Sequence, residues 1–141
     1  MSETLPKGWF YTKLGNISTH PQYGWTCSAN SIGKLKLLRT TDISNGKINW
    51  ENVPFCEKEP DNDAKYLLKE NDILVSRAGS VGISYRVAKS DLFHRTVFAS
   101  YLIRFCPFVP ASFVEHFFKS HLYWQYISDS QLGIAIPNVN A

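Results

Sequence analysis

Twenty residues, Leu68 to Val87, constrain this chain more than any other stretch. Two short apolar runs, Ile73-Leu74-Val75 and Ile83 to Val87, flank the glycine loop Ala78-Gly79-Ser80-Val81-Gly82. The polar triplet Glu70-Asn71-Asp72 marks a turn into the first run. β-Branched residues bounded by turn residues predict two strands joined by a tight connection. Gly79 and Gly82 would supply positive φ or room for close backbone approach. Arg77 and Arg86 sit on either side, which makes the loop a candidate anion-facing surface. The plainer reading is a hairpin in a β-rich core.

A length of 141 residues predicts one domain with a real core. Hydrophobic content of 44% and aromatic content of 14% fit a folded chain. No apolar run approaches the roughly 20 residues that span a bilayer, and the first residues do not read as a secretory signal. Cys27, Cys56 and Cys106 are widely spaced and lack a CxxC pair. They predict buried thiols in a reducing compartment, hence a cytoplasmic protein. The net charge of +3 is too small to argue a partner, but its distribution is uneven. Lys7 to Lys47 carries six basic residues and one acidic, Glu51 to Asp72 seven acidic and three basic, and Ile73 to Arg104 five basic and one acidic. Such blocks fold either into one basic and one acidic face, as phosphate binding wants, or into ordinary solvated surface.

Taken in order, Trp9 to Leu14 predicts a first strand or short amphipathic segment. His20 to Gly33, rich in Pro, Gly, Ser and Asn, predicts a long loop of the kind that is often functional. Lys34 to Leu38 alternates. Asn45-Gly46 is a type I′ hairpin signal that would pair the segment before Ser44 with Lys47-Ile48-Asn49-Trp50. Glu51 to Asp63 reads as an exposed connection, Ala64 to Leu68 as a helical turn and Ala88 to His94 as a loop. Val97 to Phe105 reads as one buried strand. Ser112-Phe113-Val114-Glu115 has the capping-box form and predicts a helix to about Ser128. Phe113, Phe117, Trp124 and Tyr126-Ile127 would form its apolar stripe.

Enzymatic readings find little support in the residues. Asp61, Asp63 and Lys65 match the acidic pair and lysine of metal-dependent nucleases in letters. In that chemistry the acidic residues sit on different strands, whereas here one residue separates them. His116 and His121 fall about 140° apart around a helix and cannot share a metal. There is no Cys/His cluster for zinc, no Gly-x-Ser-x-Gly elbow and no Walker lysine loop. Gly79 to Gly82 matches a GxxG nucleic-acid clamp in letters only, because its strand–strand context is wrong. The residues therefore predict a protein that binds and does not catalyse.

Polar side chains read base edges, and Lys and Arg hold phosphates. Candidates for base contacts are Gln22, Tyr23, Asn30, Thr41, Lys47, Asn49 and Ser80. Candidates for phosphate contacts are Lys34, Lys36, Arg39, Arg77 and Arg86. No residue set is a candidate metal site.

Four motifs then occur in a characteristic order. They are Leu5-Pro6-Lys7-Gly8-Trp9 with Lys13 to Ile17, Leu38 to Ile43 with Gly46-Lys47-Ile48, Leu68 to Gly82, and Gly133 to Asn140. In these the chain resembles a target recognition domain of the specificity subunits of type I restriction–modification enzymes. The resemblance implies a mixed α+β fold with a strongly bent β-sheet and a few helices. It implies sequence-specific contact with duplex DNA, one domain reading one half of a split target. Partners would be double-stranded DNA, the methyltransferase (modification) subunits and the restriction subunit. The recognition domain itself would need no cofactor, since S-adenosylmethionine would be bound by the partner methyltransferase. The chain departs from the pattern by carrying one recognition domain over 1–141, without the spacer helix and second recognition domain, so weak DNA binding is expected of it. Motifs shared by domains that read different sequences would be scaffold. That moves base contacts toward the His20–Lys36 loop and the surroundings of Lys47 and Asn49, and leaves Arg39, Arg77 and Arg86 for phosphates. The alternative is a glycan- or protein-binding β-rich module presenting Trp9, Trp25, Trp50 and the tyrosines.

Overall fold

The structure is a computed structural model that describes residues 4–131. The fourth motif, Gly133 to Asn140, lies outside the described residues. The fold is mixed α+β, as expected. Among the described residues the strands form two four-stranded sheets.

The first sheet has the order β1 (Gln22–Tyr23), β8 (Leu102–Phe105), β5 (Ile73–Ser76) and β6 (Ser84–Arg86), all antiparallel. The hairpin β5–β6 is the one predicted from the glycine loop. Gly79 and Gly82 turn it at φ 73° and 88°, values that side chains with a Cβ rarely adopt. The Ser76 hydroxyl closes the loop by donating to the Ser80 carbonyl and accepting from the Ile83 N–H.

The second sheet has the order β2 (Ala29–Asn30), β4 (Phe55–Cys56), β3 (Lys36–Leu38) and β7 (Thr96–Phe98), with β3 and β7 parallel. Leu38 and Phe98 of this sheet share one buried cluster with Leu74 and Leu102 of the first, together with Ile43, Val53, Leu68 and Val87. That shared cluster makes the two sheets one body. Burying a side chain such as Phe98 contributes about 2–3 kcal/mol.

Two helices cover the other face of the first sheet, α2 (Ala111–Lys119) and α3 (His121–Ser130). Ile73 and Val75 pack there against Val114, Phe118, Tyr123 and Ile127.

Several expectations are corrected. The Asn45-Gly46 hairpin does not form. Asp42 accepts from the Arg39 backbone N–H at 2.8 Å and starts the short helix α1 (Thr40–Ile43), and Gly46, at φ 75°, follows it in a turn. This local carboxylate bond outcompetes strand pairing. The single strand Val97–Phe105 is two strands in different sheets, broken at Ala99–Tyr101. The helix expected from Ser112 to Ser128 is likewise two. Ser120 ends α2 and caps α3, accepting from the Tyr123 N–H at 3.3 Å. Its buried face is Ala111, Val114, Phe118, Tyr123 and Ile127, while Phe113, Phe117, Trp124 and Tyr126 are exposed. Trp9 to Leu14 forms no strand, only a 3-10 turn at Leu14–Asn16. The expected loop His20–Gly33 contains β1 and β2, and the acidic connection contains β4 with Val53 and Pro60 buried.

Candidate nucleic-acid interface

The site begins with a close backbone approach. Gly24 follows β1, and a Cβ there would run into the carbonyl oxygens of Phe98 and Ala99. Because glycine has none, the segment after β1 lies directly against the turn between β7 and β8. The Trp25 N–H donates to the Phe98 carbonyl at 2.8 Å, and the Ser100 N–H donates back to the Trp25 carbonyl at 3.0 Å. The turn is also tied to the end of β5, where the Arg77 N–H donates to the Tyr101 carbonyl at 2.9 Å. Three segments far apart in sequence thus meet: Tyr23–Ala29, Arg77, and Ala99–Tyr101.

Beside this junction opens a cleft of about 480 Å³. Its lining includes Trp25, Thr26, Arg39, Thr41, Ser100 and Tyr101. Arg39 is held by Asp42 through Nε at 3.0 Å and Nη2 at 2.9 Å, with its side chain still 40% exposed. Hydrogen bonding to Asp42 raises the Arg39 pKa above its ordinary value, so the guanidinium stays charged.

Arg77 differs from every other arginine of the chain. Arg39 pairs with Asp42, Arg86 with Glu115, Arg95 with Asp63 and Arg104 with Asp72. Among the described residues Arg77 has no carboxylate partner. Its guanidinium instead lies 4.5 Å from the centroid of the Tyr23 ring, itself 41% exposed. A cation stacked on an exposed ring and uncompensated by any carboxylate is suited to an outside anion. Among the described residues, three buried side-chain atoms lack a hydrogen-bond partner: Thr40 Oγ1, Arg77 Nε and Arg104 Nε. Thr40 lines the cleft and Arg77 adjoins it.

The structure therefore brings together Tyr23, Thr41, Arg39 and Arg77 from the predicted set, with Ser80 exposed on the loop that follows Arg77. Two predicted residues face inward. Lys36 is 6% exposed, and its ammonium donates to the carbonyls of Trp50 at 2.9 Å and Val53 at 3.0 Å. That ammonium also lies 4.7 Å from the Phe55 ring, so it is not a phosphate contact. Gln22 accepts from Arg104 at 2.6 Å and donates to the Lys65 carbonyl at 2.8 Å, so its amide is committed to the interior. Arg104, buried, completes that network through Leu67 and Asp72.

Others sit apart from the cleft. Arg86 is bound to Glu115 of α2 at 2.6 Å. Asn30 and Lys34 border a second hollow shared with Glu57, Lys58 and Glu59, where the carboxylates offset the amines. Lys47 and Asn49 are exposed beyond α1 and do not line the cleft. Thr26 belongs to the His20–Lys36 loop favoured for base contacts without being singled out there, and Ser100 and Tyr101 are not among the sequence candidates. The signal for Ser100 and Tyr101 is that this polar pair interrupts an apolar run, which is where the strand breaks. Asp63, one of the nuclease-like residues, is engaged by Arg95. Among the described residues no group of three or more His, Cys, Asp or Glu could hold a metal ion, and no helix is long and apolar enough to cross a membrane.

No family model matches the chain. It is 34% identical over 96 residues to the type I restriction enzyme EcoAI specificity subunit of Escherichia coli, covering 62% of this chain and 16% of that protein. It is 25% identical over 142 aligned positions to the EcoKI specificity subunit of Escherichia coli strain K12, covering 96% of this chain and 31% of that protein. The StySPI specificity subunit of Salmonella potsdam is 23% identical over the same share of each. A solved chain from a structural study of complex assembly and conformational transition in the type I R-M system shares the fold. Its TM-score is 0.69 at 14% identity, over 99% of this chain and 33% of that one. The resemblance carried by the sequence motifs is thus met by similarity over nearly the whole chain, and the chain spans a third or less of the length of these proteins.

Proposed function

We propose that this chain, similar along nearly its whole length to type I specificity subunits, is a non-catalytic module that binds duplex DNA sequence-specifically. In this reading it recognises one half of a bipartite target for a type I restriction–modification assembly in the cytoplasm. The methyltransferase and restriction subunits would be its partners, and S-adenosylmethionine would be held by the methyltransferase and not by this chain. The observation that carries the reading is that the three named relatives are all specificity subunits, two of them matched across 96% of the chain.

The surface around Arg77 supports it. A phosphate is a doubly suitable partner for a guanidinium that is stacked, charged and free of a carboxylate. The hydroxyl-rich cleft next to it offers groups that hydrogen-bond base edges. The glycan- or protein-binding alternative is not favoured by any of the named relatives.

Arg77→Gln tests the reading. The variant should fold as the parent does, bind all duplexes more weakly, and lower the slope of log K against log salt by about 1. Unchanged affinity and slope in fluorescence anisotropy would remove Arg77 from the interface.

A further inference from the structure

Arg77 has the chemistry of a phosphate contact, but phosphates are alike at every base pair and carry no sequence information directly. Discrimination needs uncharged hydrogen-bonding groups and methyls held in fixed positions at base edges. The cleft beside Arg77 holds such groups, and a role for them in discrimination rests on the proposed binding of duplex DNA.

Tyr101 is 62% exposed, yet the backbone that carries it is pinned. Its carbonyl accepts from Arg77 at 2.9 Å, the Ser100 N–H donates to Trp25 at 3.0 Å, and the Leu102 N–H donates to Ala99 at 2.9 Å. A tyrosine on a fixed backbone gives a large amphipathic contact at low entropic cost, since only two side-chain torsions remain to be ordered. Exposed Thr26, one residue beyond the Trp25 bridge to Ala99, lines the same cleft. Among the described residues neither the Tyr101 hydroxyl nor the Thr26 hydroxyl makes a hydrogen bond, so both are available. Of the base contacts expected from sequence, Thr41 also lines the cleft and Tyr23 stacks on Arg77, whereas four others are less well placed. Gln22 is committed to Arg104, Asn30 stands beside Glu57 and Glu59, and Lys47 and Asn49 lie outside the cleft.

We infer that Tyr101 and Thr26 are specificity-determining residues that touch base edges next to the phosphate held by Arg77. Each hydroxyl would hydrogen-bond a base edge, and the threonine methyl would add an apolar contact of the kind that favours thymine.

The test uses the 141-residue chain and its Tyr101→Phe, Tyr101→Ala and Thr26→Val variants. A random duplex pool is enriched on the parent protein, and anisotropy then compares the enriched duplex with a scrambled one across salt concentrations. The variants, checked for folding by circular dichroism, should lose about tenfold of the preference for the enriched duplex. Their affinity for the scrambled duplex and their salt slope should stay as in the parent, the opposite of Arg77→Gln. Variants that keep the full preference of the parent overturn the inference while leaving the proposed function standing. A parent that binds no duplex, or enriches no sequence, overturns both.

Discussion

At the scale of single residues, burial decides what a charged side chain is for. Lys36 lies in Lys34-Leu35-Lys36-Leu37-Leu38, an alternating run that predicts lysines on a solvent face. β3 is instead flanked by β4 and β7, and all three of its residues are buried. Its ammonium satisfies two carbonyls of the chain that wraps back over it. Lys36→Ala should therefore cost stability, about 3 kcal/mol, because buried carbonyls lose a charged donor. Urea denaturation would register that as a lower midpoint, and the salt slope of DNA binding of the folded fraction should not change. Gly24 makes the complementary case. A methyl there meets carbonyl oxygens of the β7–β8 turn, so Gly24→Ala should destabilise by roughly 1–3 kcal/mol. It should also weaken DNA binding, since the cleft is built on that approach; equal stability and binding would show that the turn gives way freely.

At the scale of elements, one exposed ion-pair group ties the organising hairpin to its covering helix. Arg86 of β6 and Lys119 both bind Glu115 of α2, at 2.6 Å and 2.9 Å. Burial alone would raise the Glu115 pKa, but the bonds from Lys119 and Arg86 outweigh it and leave it lowered. A lowered carboxylate pKa stabilises the fold above its unfolded value, near 4.3, and that stability is lost as pH falls through the folded value. Glu115→Gln should cost about 0.5 kcal/mol at neutral pH, a small figure because solvent screens the pair. The difference from the parent should vanish in acid denaturation profiles below the folded pKa; a difference that persists there would assign it to packing instead.

Elements also mark what was legible in the sequence. The β5–β6 hairpin was, because its glycines and β-branched runs act locally. The Asn45-Gly46 hairpin signal does not prevail because Asp42, three residues from Arg39, offers the backbone a closer partner. The break at Ser100-Tyr101 and the helix break at Ser120 are hidden in the sequence because apolar residues continue on either side of each. Which aromatics of α2 and α3 face inward depends on the sheet beneath them. Phe118 and Tyr123 are buried where Phe113 and Phe117 were expected, a choice that periodicity within one helix cannot make across a break. Of the candidate site, Arg77, Arg39, Tyr23 and Thr41 were legible by chemistry. Tyr101 and Thr26 depend on a contact between segments more than seventy residues apart, which the chain order does not display.

At the scale of the whole molecule, two sheets sharing one core hold three distant segments together around a cation without a carboxylate. The net charge of +3 supplies little general attraction for nucleic acid, so binding should depend on that local surface and should weaken as salt rises. The most direct measurement is fluorescence anisotropy of the folded chain with labelled duplex DNA, titrated from low to physiological salt. The account predicts saturable binding at low salt, with log K falling linearly as log salt rises and a shallower slope for Arg77→Gln. A folded chain that leaves the duplex free at low salt would contradict it.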